Sequence, residues 1–330
     1  MTIPTFTVTD GNIETISRLV ELRKADEFVL WRTDRNVIGP TPEFTREEFW
    51  YVLLGCLMTT QQKSTKGMPV DRFLELKPFP LTLEKCSKDL EKHLISTLTA
   101  FGGIRMAPTI ARRAKTNYDW LDNNGWTLVE THYLKLASQR NRAPLAEDRK
   151  AERHAAYFAD NTFAGIGPKQ SRNLWQWLGL TRYEIPLDGR ICKWINENLS
   201  SRISIPELAD YRYYDAVLDH VQMLCDRAQV LPCIFDAAAF DYEQKRSTPE
   251  VLMSHDSKGT TATGYVNPNG QVVVRDTGMS GTDKYQRIYQ IACSKCGHTY
   301  GANGSDCHLR LCPECQGGAE GLPLGRSAHA

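Results

Sequence analysis

Three groups of residues in this chain of 330 have types and spacings that do chemistry. The first is Gly165-Ile166-Gly167-Pro168-Lys169, two glycines around one aliphatic residue, followed at once by a proline. Glycine permits a tight turn and proline suits the first position of a helix, so the chain should turn at 165–167 and start a helix at Pro168. Backbone N–H groups at such a helix start are unpaired and carry partial positive charge, which suits a phosphate. The second group is Ile185-Pro186-Leu187-Asp188. Pro186 biases Ile185 to an extended conformation, and Ile191, Trp194, Ile195 and Leu199 then share one helical face. Asp188 is thus an N-cap whose carboxylate stands at a helix mouth. The third is Cys293-x2-Cys296 and Cys312-x2-Cys315, with 15 residues between the pairs. Two such knuckles close a tetrahedron of thiolates around zinc, and with four places filled the metal is structural. Cys307, His308 and His298 are left over as non-ligands.

These groups need elements to hold them. The helix from Pro168 should bury Leu174, Trp175 and Leu178 and stop at Gly179. Thr45 with Glu48 forms a capping box that opens an apolar helix over 49–58, ending in the polar run 59–64. A short helix pattern (Ile13, Ile16, Leu19, Val20) precedes it. Further helices are expected over 71–76, 83–101, 108–114, 126–136 and 150–158, then one through Leu224-Cys225 and one over 231–240. Residues 1–242 therefore read as a helical domain and the polar, aperiodic stretch 243–263 as a linker. Beyond it, 265–266 and 271–274 flank an Asn-Gly turn, 289–292 is a third strand, and 300–306 is a loop. The fold class is mainly α, with a small β-rich module over 264–330.

The formal net charge is only +1, so no global basic field exists and a polyanion site must come from local clusters. Arg112, Arg113 and Lys115, after the Gly-rich turn at 101–105, form one. With 41% hydrophobic and 24% charged residues the composition is that of a soluble globular protein. The chain does not start with a charged-then-apolar signal pattern, and no apolar run approaches the roughly 20 residues that span a bilayer. Ten cysteines without a dense disulfide pattern point to a reducing compartment. A cytoplasmic monomer with no membrane partner is expected.

The Gly165-Ile166-Gly167 turn, coupled to Pro186-Leu187-Asp188, resembles the helix-hairpin-helix DNA glycosylase superfamily, whose signature joins a Gly-hydrophobic-Gly hairpin to Pro-Val-Asp or a close variant. The resemblance implies a two-lobed, all-helical fold acting on double-stranded DNA, which flips out a damaged or modified base and excises it. It gives Asp188 the stabilisation of positive charge at C1′. Lys169 falls where the endonuclease III and 8-oxoguanine glycosylase branches carry a lysine that attacks C1′ and permits strand scission. On a monofunctional enzyme the same lysine would contact phosphate. Gln61 falls at the residue that enters the DNA stack, and Gly165, Ile166, Gly167, Arg112 and Arg113 at DNA-contacting positions. Two departures stand out. Gly189-Arg190 follows Asp188 where many members place a residue and then histidine. Cys192, Cys225 and Cys233 do not make the spacing of the iron–sulfur loop found in some branches, so no cluster is expected. Lys169 and the missing cluster favour an 8-oxoguanine-like lesion. A hypermodified phage base, removed in antiviral defence, would fit the same scaffold. A non-enzymatic hairpin DNA-binding protein would have no need of Asp188.

Overall fold

The computed structural model describes residues 7–60, 62, 67–86, 89–140, 142, 145–199, 201–247, 260–282 and 286–324. The chain divides into two units, Met1–Thr248 and Pro249–Ala330. In the first, α1 (Asp10–Arg23) and α2 (Glu27–Thr33) precede α3 (Arg46–Met58), α4 (Pro69–Leu74), α5 (Leu83–Cys86), α6 (Leu90–Phe101), α7 (Ala107–Trp120), α8 (Trp126–Ala137), α9 (Ala146–Thr162) and α10 (Pro168–Trp177). Then come α11 (Gly189–Asn198), α12 (Tyr211–Arg227) and α13 (Pro232–Ser247). Two hydrophobic cores result, and each defines a lobe. One gathers Trp50, Leu53, Leu94, Ala111 and Trp175 from the middle of the chain. The other gathers Ile16 and Val29 from the start with Ile191, Tyr214 and Phe235 from the end. The N-terminal helices therefore complete the lobe built by α11–α13, and α3–α10 form the other.

Local chemistry explains the element ends and the departures from expectation. Thr45 caps α3 by accepting from Glu48 N at 3.1 Å, but the Glu48 carboxylate goes to Arg35 at 2.5 Å, so half of the capping box forms. The helix expected over 83–101 is interrupted: α6 begins after Asp89, which adopts a left-handed φ of 52°. α4 starts earlier than expected, with Pro69 in its first turn, whereas α7 and α9 run beyond their expected ends. α10 and α11 begin and bury the faces that their sequence patterns indicate.

The chain crosses between lobes twice, near 39–45 and near 179–187, and buried side chains tie the crossings together. The Arg140 guanidinium donates to the carbonyls of Arg35, Gly39 and Pro40 on one crossing and of Gly179 on the other. Asn36 Nδ2 donates to Gln176 O at 3.0 Å and Thr181 O at 2.9 Å. Gly179 has φ +81°, and a Cβ there would meet Arg35 O at 2.8 Å, so the close approach requires glycine.

The second unit carries an antiparallel sheet of β1 (Gln271–Ser280), β2 (Arg287–Cys293) and β3 (Thr299–Asn303), in that order. Val273 pairs with Ile291, and Ile291 with Tyr300, so these side chains share a small core with Ala302. The turn before β1 closes with Gly270 N donating to Asn267 O at 2.9 Å. Residues 300–303 were expected in a loop. They form β3 instead, because β2 offers a free edge and Tyr300 and Ala302 bury on it. Among the described residues no helix is long and apolar enough to cross a membrane.

Candidate active site

The hairpin forms where the glycines demand it, but the two glycines differ. Gly165 has φ +83°, and a Cβ there would run into the Arg113 side chain and approach Leu57 Cδ2 at 3.0 Å. Gly167 is ordinary extended backbone with φ −104°, and a Cβ there would meet nothing within 4 Å. Its use is an open approach to the start of α10. Ile166 is buried between them, its N–H donating to Phe163 O at 3.1 Å. The hairpin, Thr60, Arg105 and Arg113 line a depression of about 300 Å³. Arg112 is exposed nearby. Lys115, the third cation of this cluster, pairs with Asp119 one helical turn on, at 2.5 and 2.7 Å. Gln61 lies outside the described residues. Gln62 turns inward, donating to Met58 O and accepting from Arg105 N at 2.9 Å, so it holds the Gly-rich turn.

Lys169 stands on the first turn of α10, whose inner face is locked to the end of α3. Gln170 Nε2 donates to Cys56 O at 2.8 Å and Thr59 Oγ1 at 3.0 Å, and Asn173 Nδ2 donates to Cys56 Sγ at 3.7 Å. Burial pushes the Cys56 thiol up to about 12, so it is inert packing rather than a nucleophile. The Lys169 side chain is half-buried.

Asp188 is placed by the extended stretch that precedes it. Glu152, fully buried on α9, accepts from the N–H groups of Arg182, Tyr183 and Glu184 at 2.9, 2.7 and 2.8 Å. Burial pushes its carboxyl up to about 7 against the pull of those three donors. Tyr214 Oη donates to Ile185 O and accepts from Leu187 N at 2.6 Å, which fixes the residues on either side of Pro186. Arg172, buried on α10, connects this stretch to the hairpin helix: it donates to Glu184 at 3.0 Å, Asp215 at 2.9 Å and Pro168 O at 3.1 Å. The mutual placement of Lys169 and Asp188 thus rests on buried ionic contacts. In Glu152→Gln the amide NH₂ would face a backbone donor, and the loss expected is about 1–3 kcal/mol of unfolding free energy, measured by urea titration.

At the mouth of α11, Asp188 Oδ1 accepts from Arg190 N at 2.9 Å and Ile191 N at 3.1 Å. Oδ2 accepts from Arg190 Nε at 3.0 Å and Nη2 at 2.9 Å. The Arg190 guanidinium lies 3.9 Å from the centre of the Phe240 ring. Asp188 is therefore both the expected cap and half of an ion pair that the departure at Arg190 creates. Lys169 and Asp188 line one cleft of about 360 Å³ between the lobes. Tyr51, Asn173 and Trp177 join from one lobe, and Phe28, Trp31, Arg32, Asp236 and Phe240 from the other. The sequence reading missed this second set. Its only signal was polar residues on otherwise apolar faces of α2 and α13.

In the second unit the four predicted cysteines converge, with Sγ atoms all within 4.8 Å of one another. Cys293 Sγ and Cys315 Sγ are 3.6 Å apart, as are Cys296 Sγ and Cys312 Sγ. Thiolates about 2.3 Å from a tetrahedral zinc would stand about 3.8 Å apart, so the donor set fits that metal. Gly297, φ +76°, turns the first knuckle, its N–H donating to Cys293 O at 2.9 Å. Cys307 is buried, donating to Asn303 O at 3.4 Å, outside the cluster.

No family model matches the sequence, and no curated protein does. Among solved structures, the chain is similar to the Methanocaldococcus jannaschii 8-oxoguanine glycosylase/lyase in complex with a 15mer DNA containing 8-oxoguanine. The TM-score is 0.50 and the identity 14%, over 72% of this chain and 99% of that one. The Thermotoga maritima 8-oxoguanine DNA glycosylase aligns at TM-score 0.48 and 15% identity, over 70% of this chain and 96% of that one. At such identity the likeness is one of fold: this chain has the two-lobed helical architecture of the archaeal structure, with a small β module besides.

Proposed function

We propose that this chain is a DNA glycosylase that excises a damaged or modified base from double-stranded DNA, with associated lyase activity. The observation that carries the reading is that an amine, Lys169, and a carboxylate, Asp188, line one interlobe cleft. The fold shared with the archaeal glycosylase/lyase supports it. In the reaction the target nucleotide leaves the stack and enters the cleft. The N-glycosidic bond breaks, its electron pair leaving with the base, while the Asp188 carboxylate stabilises the positive charge that grows at C1′. Lys169 Nζ forms the new bond to C1′ with its lone pair and gives up a proton. Sugar-ring opening then gives a Schiff base, from which β-elimination expels the 3′ phosphate. The hairpin with Arg112 and Arg113 grips the backbone. An 8-oxoguanine-like lesion is the favoured substrate, and a hypermodified phage base is the second reading. Cys293, Cys296, Cys312 and Cys315 hold a structural zinc in the β module, with no part in the chemistry.

Borohydride reduction of a reacting duplex tests this. With 8-oxoguanine DNA a covalent protein–DNA adduct is expected, absent in Lys169→Gln, whose base release falls by about 10²-fold or more. Base release without an adduct would make Lys169 a phosphate contact on a monofunctional enzyme. DNA binding with no release from any damaged or modified duplex would reduce the chain to a binding protein.

A further inference from the structure

The first lobe's share of the cleft wall carries carboxylates to which the reaction above gives no part. α4 is pinned to its lobe. Val70 and Phe73 are buried, and Phe73 meets Phe79 and Phe101 edge-on at 5.9 and 5.1 Å. Pro69 packs so closely on the Gly-rich turn that a Cβ on Gly103 would meet its Cγ at 2.7 Å. Asp71, Leu74 and Glu75, at helical spacing, share another face and line the cleft with Lys169. With Asp188 and Asp236, four carboxylates line it among the described residues. Their engagements differ. Asp188 has both oxygens taken, one by two backbone N–H groups and one by the Arg190 fork. Asp236 is 4% exposed, with Arg32 Nη2 at 3.7 Å. Asp71 is half-buried, and its Oδ2 accepts from Gly67 N at 2.6 Å. Glu75 is exposed at the end of α4, and its carboxylate accepts no hydrogen bond and joins no ion pair among the described residues. Tyr51 does not occupy it: burial first, and then Glu75 and Asp71, push that hydroxyl up, but Tyr51 Oη gives its hydrogen to Leu74 O at 3.1 Å. Carboxylates one helical turn apart repel each other, and Arg72, beside Asp71 in sequence, lies over the Phe101 ring instead.

We infer that Glu75 is the general base of the strand-cutting step. Once Lys169 is joined to C1′ as a protonated Schiff base, the iminium draws electrons from the sugar and makes the C2′ hydrogens acidic. The Glu75 carboxylate takes one of these protons. The electron pair of the broken C2′–H bond becomes the second bond between C1′ and C2′, and the imine pair moves onto nitrogen. That pair then returns, a C2′–C3′ double bond forms, and the C3′–O bond breaks with its electrons leaving on the 3′ phosphate. The proton stays on Glu75 until it passes to water, so no further reactant is needed. A general base must present an open lone pair and reach the proton it removes. Of the four carboxylates, Glu75 has both oxygens open, and its exposed side chain is free to turn toward a sugar held by Lys169. Asp188, held by its cap and by Arg190, works through its charge and moves no proton. The two carboxylates thus divide the reaction, Asp188 serving base release and Glu75 serving elimination.

This inference rests on the lyase half of the proposed function, and the experiment separates the two. Base release, strand scission and the borohydride-trapped adduct would be followed in single turnover on an 8-oxoguanine duplex. Scission and adduct would also be followed on a duplex with a preformed abasic site, which needs no base removed. In Glu75→Gln, base release should match wild type while scission slows by about 100-fold or more, the loss typical of a missing general base. The trapped adduct should accumulate, because the Schiff base forms and is not consumed. Added formate should restore scission in Glu75→Ala and leave wild type unchanged, since a small carboxylate can stand in for a missing base but not for a missing structural contact. Asp71→Asn should cut far faster than Glu75→Gln. Scission by Glu75→Gln at a rate comparable to wild type would overturn the inference and leave the glycosylase/lyase reading standing. So would a parallel fall of release and scission, or slowing of the same size in Asp71→Asn, which would mark the charge of the wall and not a proton transfer. A wild type that forms no adduct on either duplex would remove the lyase activity, and this inference with it.

Discussion

Asp188→Asn is expected to slow base release by about 10²–10³-fold while leaving the fold and DNA binding in place, the loss typical of removing one preorganised charge or dipole from a developing transition state. Asparagine is the informative replacement because of the second task that Asp188 performs. Its Oδ1 caps α11 by accepting from Arg190 N and Ile191 N. An asparagine oxygen caps a helix about as well as an aspartate, so α11 keeps its start and only the charge is removed. Alanine would also cost about 1 kcal/mol of cap and confuse the two effects. Single-turnover release would measure the chemical step, and a melting curve would check the cap. If release in Asp188→Asn stayed within tenfold of wild type, the carboxylate would be a cap and nothing more. Arg190 is the control: its guanidinium holds Asp188 and lies on the Phe240 face, but it carries no carboxylate, so Arg190→Ala should not mimic Asp188→Asn in rate.

Metal removal is expected to have a larger effect on stability, confined to the β module. The core of that module is a handful of side chains (Val273, Ile291, Tyr300 and Ala302 with three cysteines), too few to hold a domain of this size unaided. Structural zinc in modules of this type contributes on the order of 10–16 kcal/mol of apparent folding free energy. Elemental analysis should find one zinc per chain. A strong chelator, or Cys312→Ser, should abolish amide-exchange protection in β1–β3, and the helical melting transition of the first unit should persist. Protection in β1–β3 that survives complete zinc removal would refute the structural metal.

How much of this was legible in the sequence follows from how local each feature is. The hairpin, the cap at Asp188 and the four thiolates are each written in a few consecutive residues whose backbone or ligand requirements leave little choice. The cleft wall is not. Phe28, Trp31 and Arg32 come from the first helices of the chain, Asp236 and Phe240 from the last, and they meet only because those helices complete one lobe. A buried arginine has the same sequence signature whether its guanidinium finds carbonyls, as that of Arg140 does, or keeps donors without a partner among the described residues, as Arg32 does. Lys115 shows the ambiguity of a basic cluster on a helix. Its partner Asp119 stands at helical spacing, so the same residue is legible both as a phosphate contact and as half of a surface ion pair. The break before α6 and the strand at β3 depend on tertiary packing and on an available sheet edge, which periodicity does not report.

The tied crossings between the lobes have a mechanical consequence. A two-lobed molecule usually grips by pivoting at its connectors, but here both connectors are pinned to each other by Arg140 and Asn36. Relative motion of the lobes would have to break those contacts. For the proposed reaction the deformation then falls to the DNA, and duplexes with an easily kinked pyrimidine–purine step at the lesion are expected to bind faster in stopped-flow than stiff A-tracts carrying the same lesion.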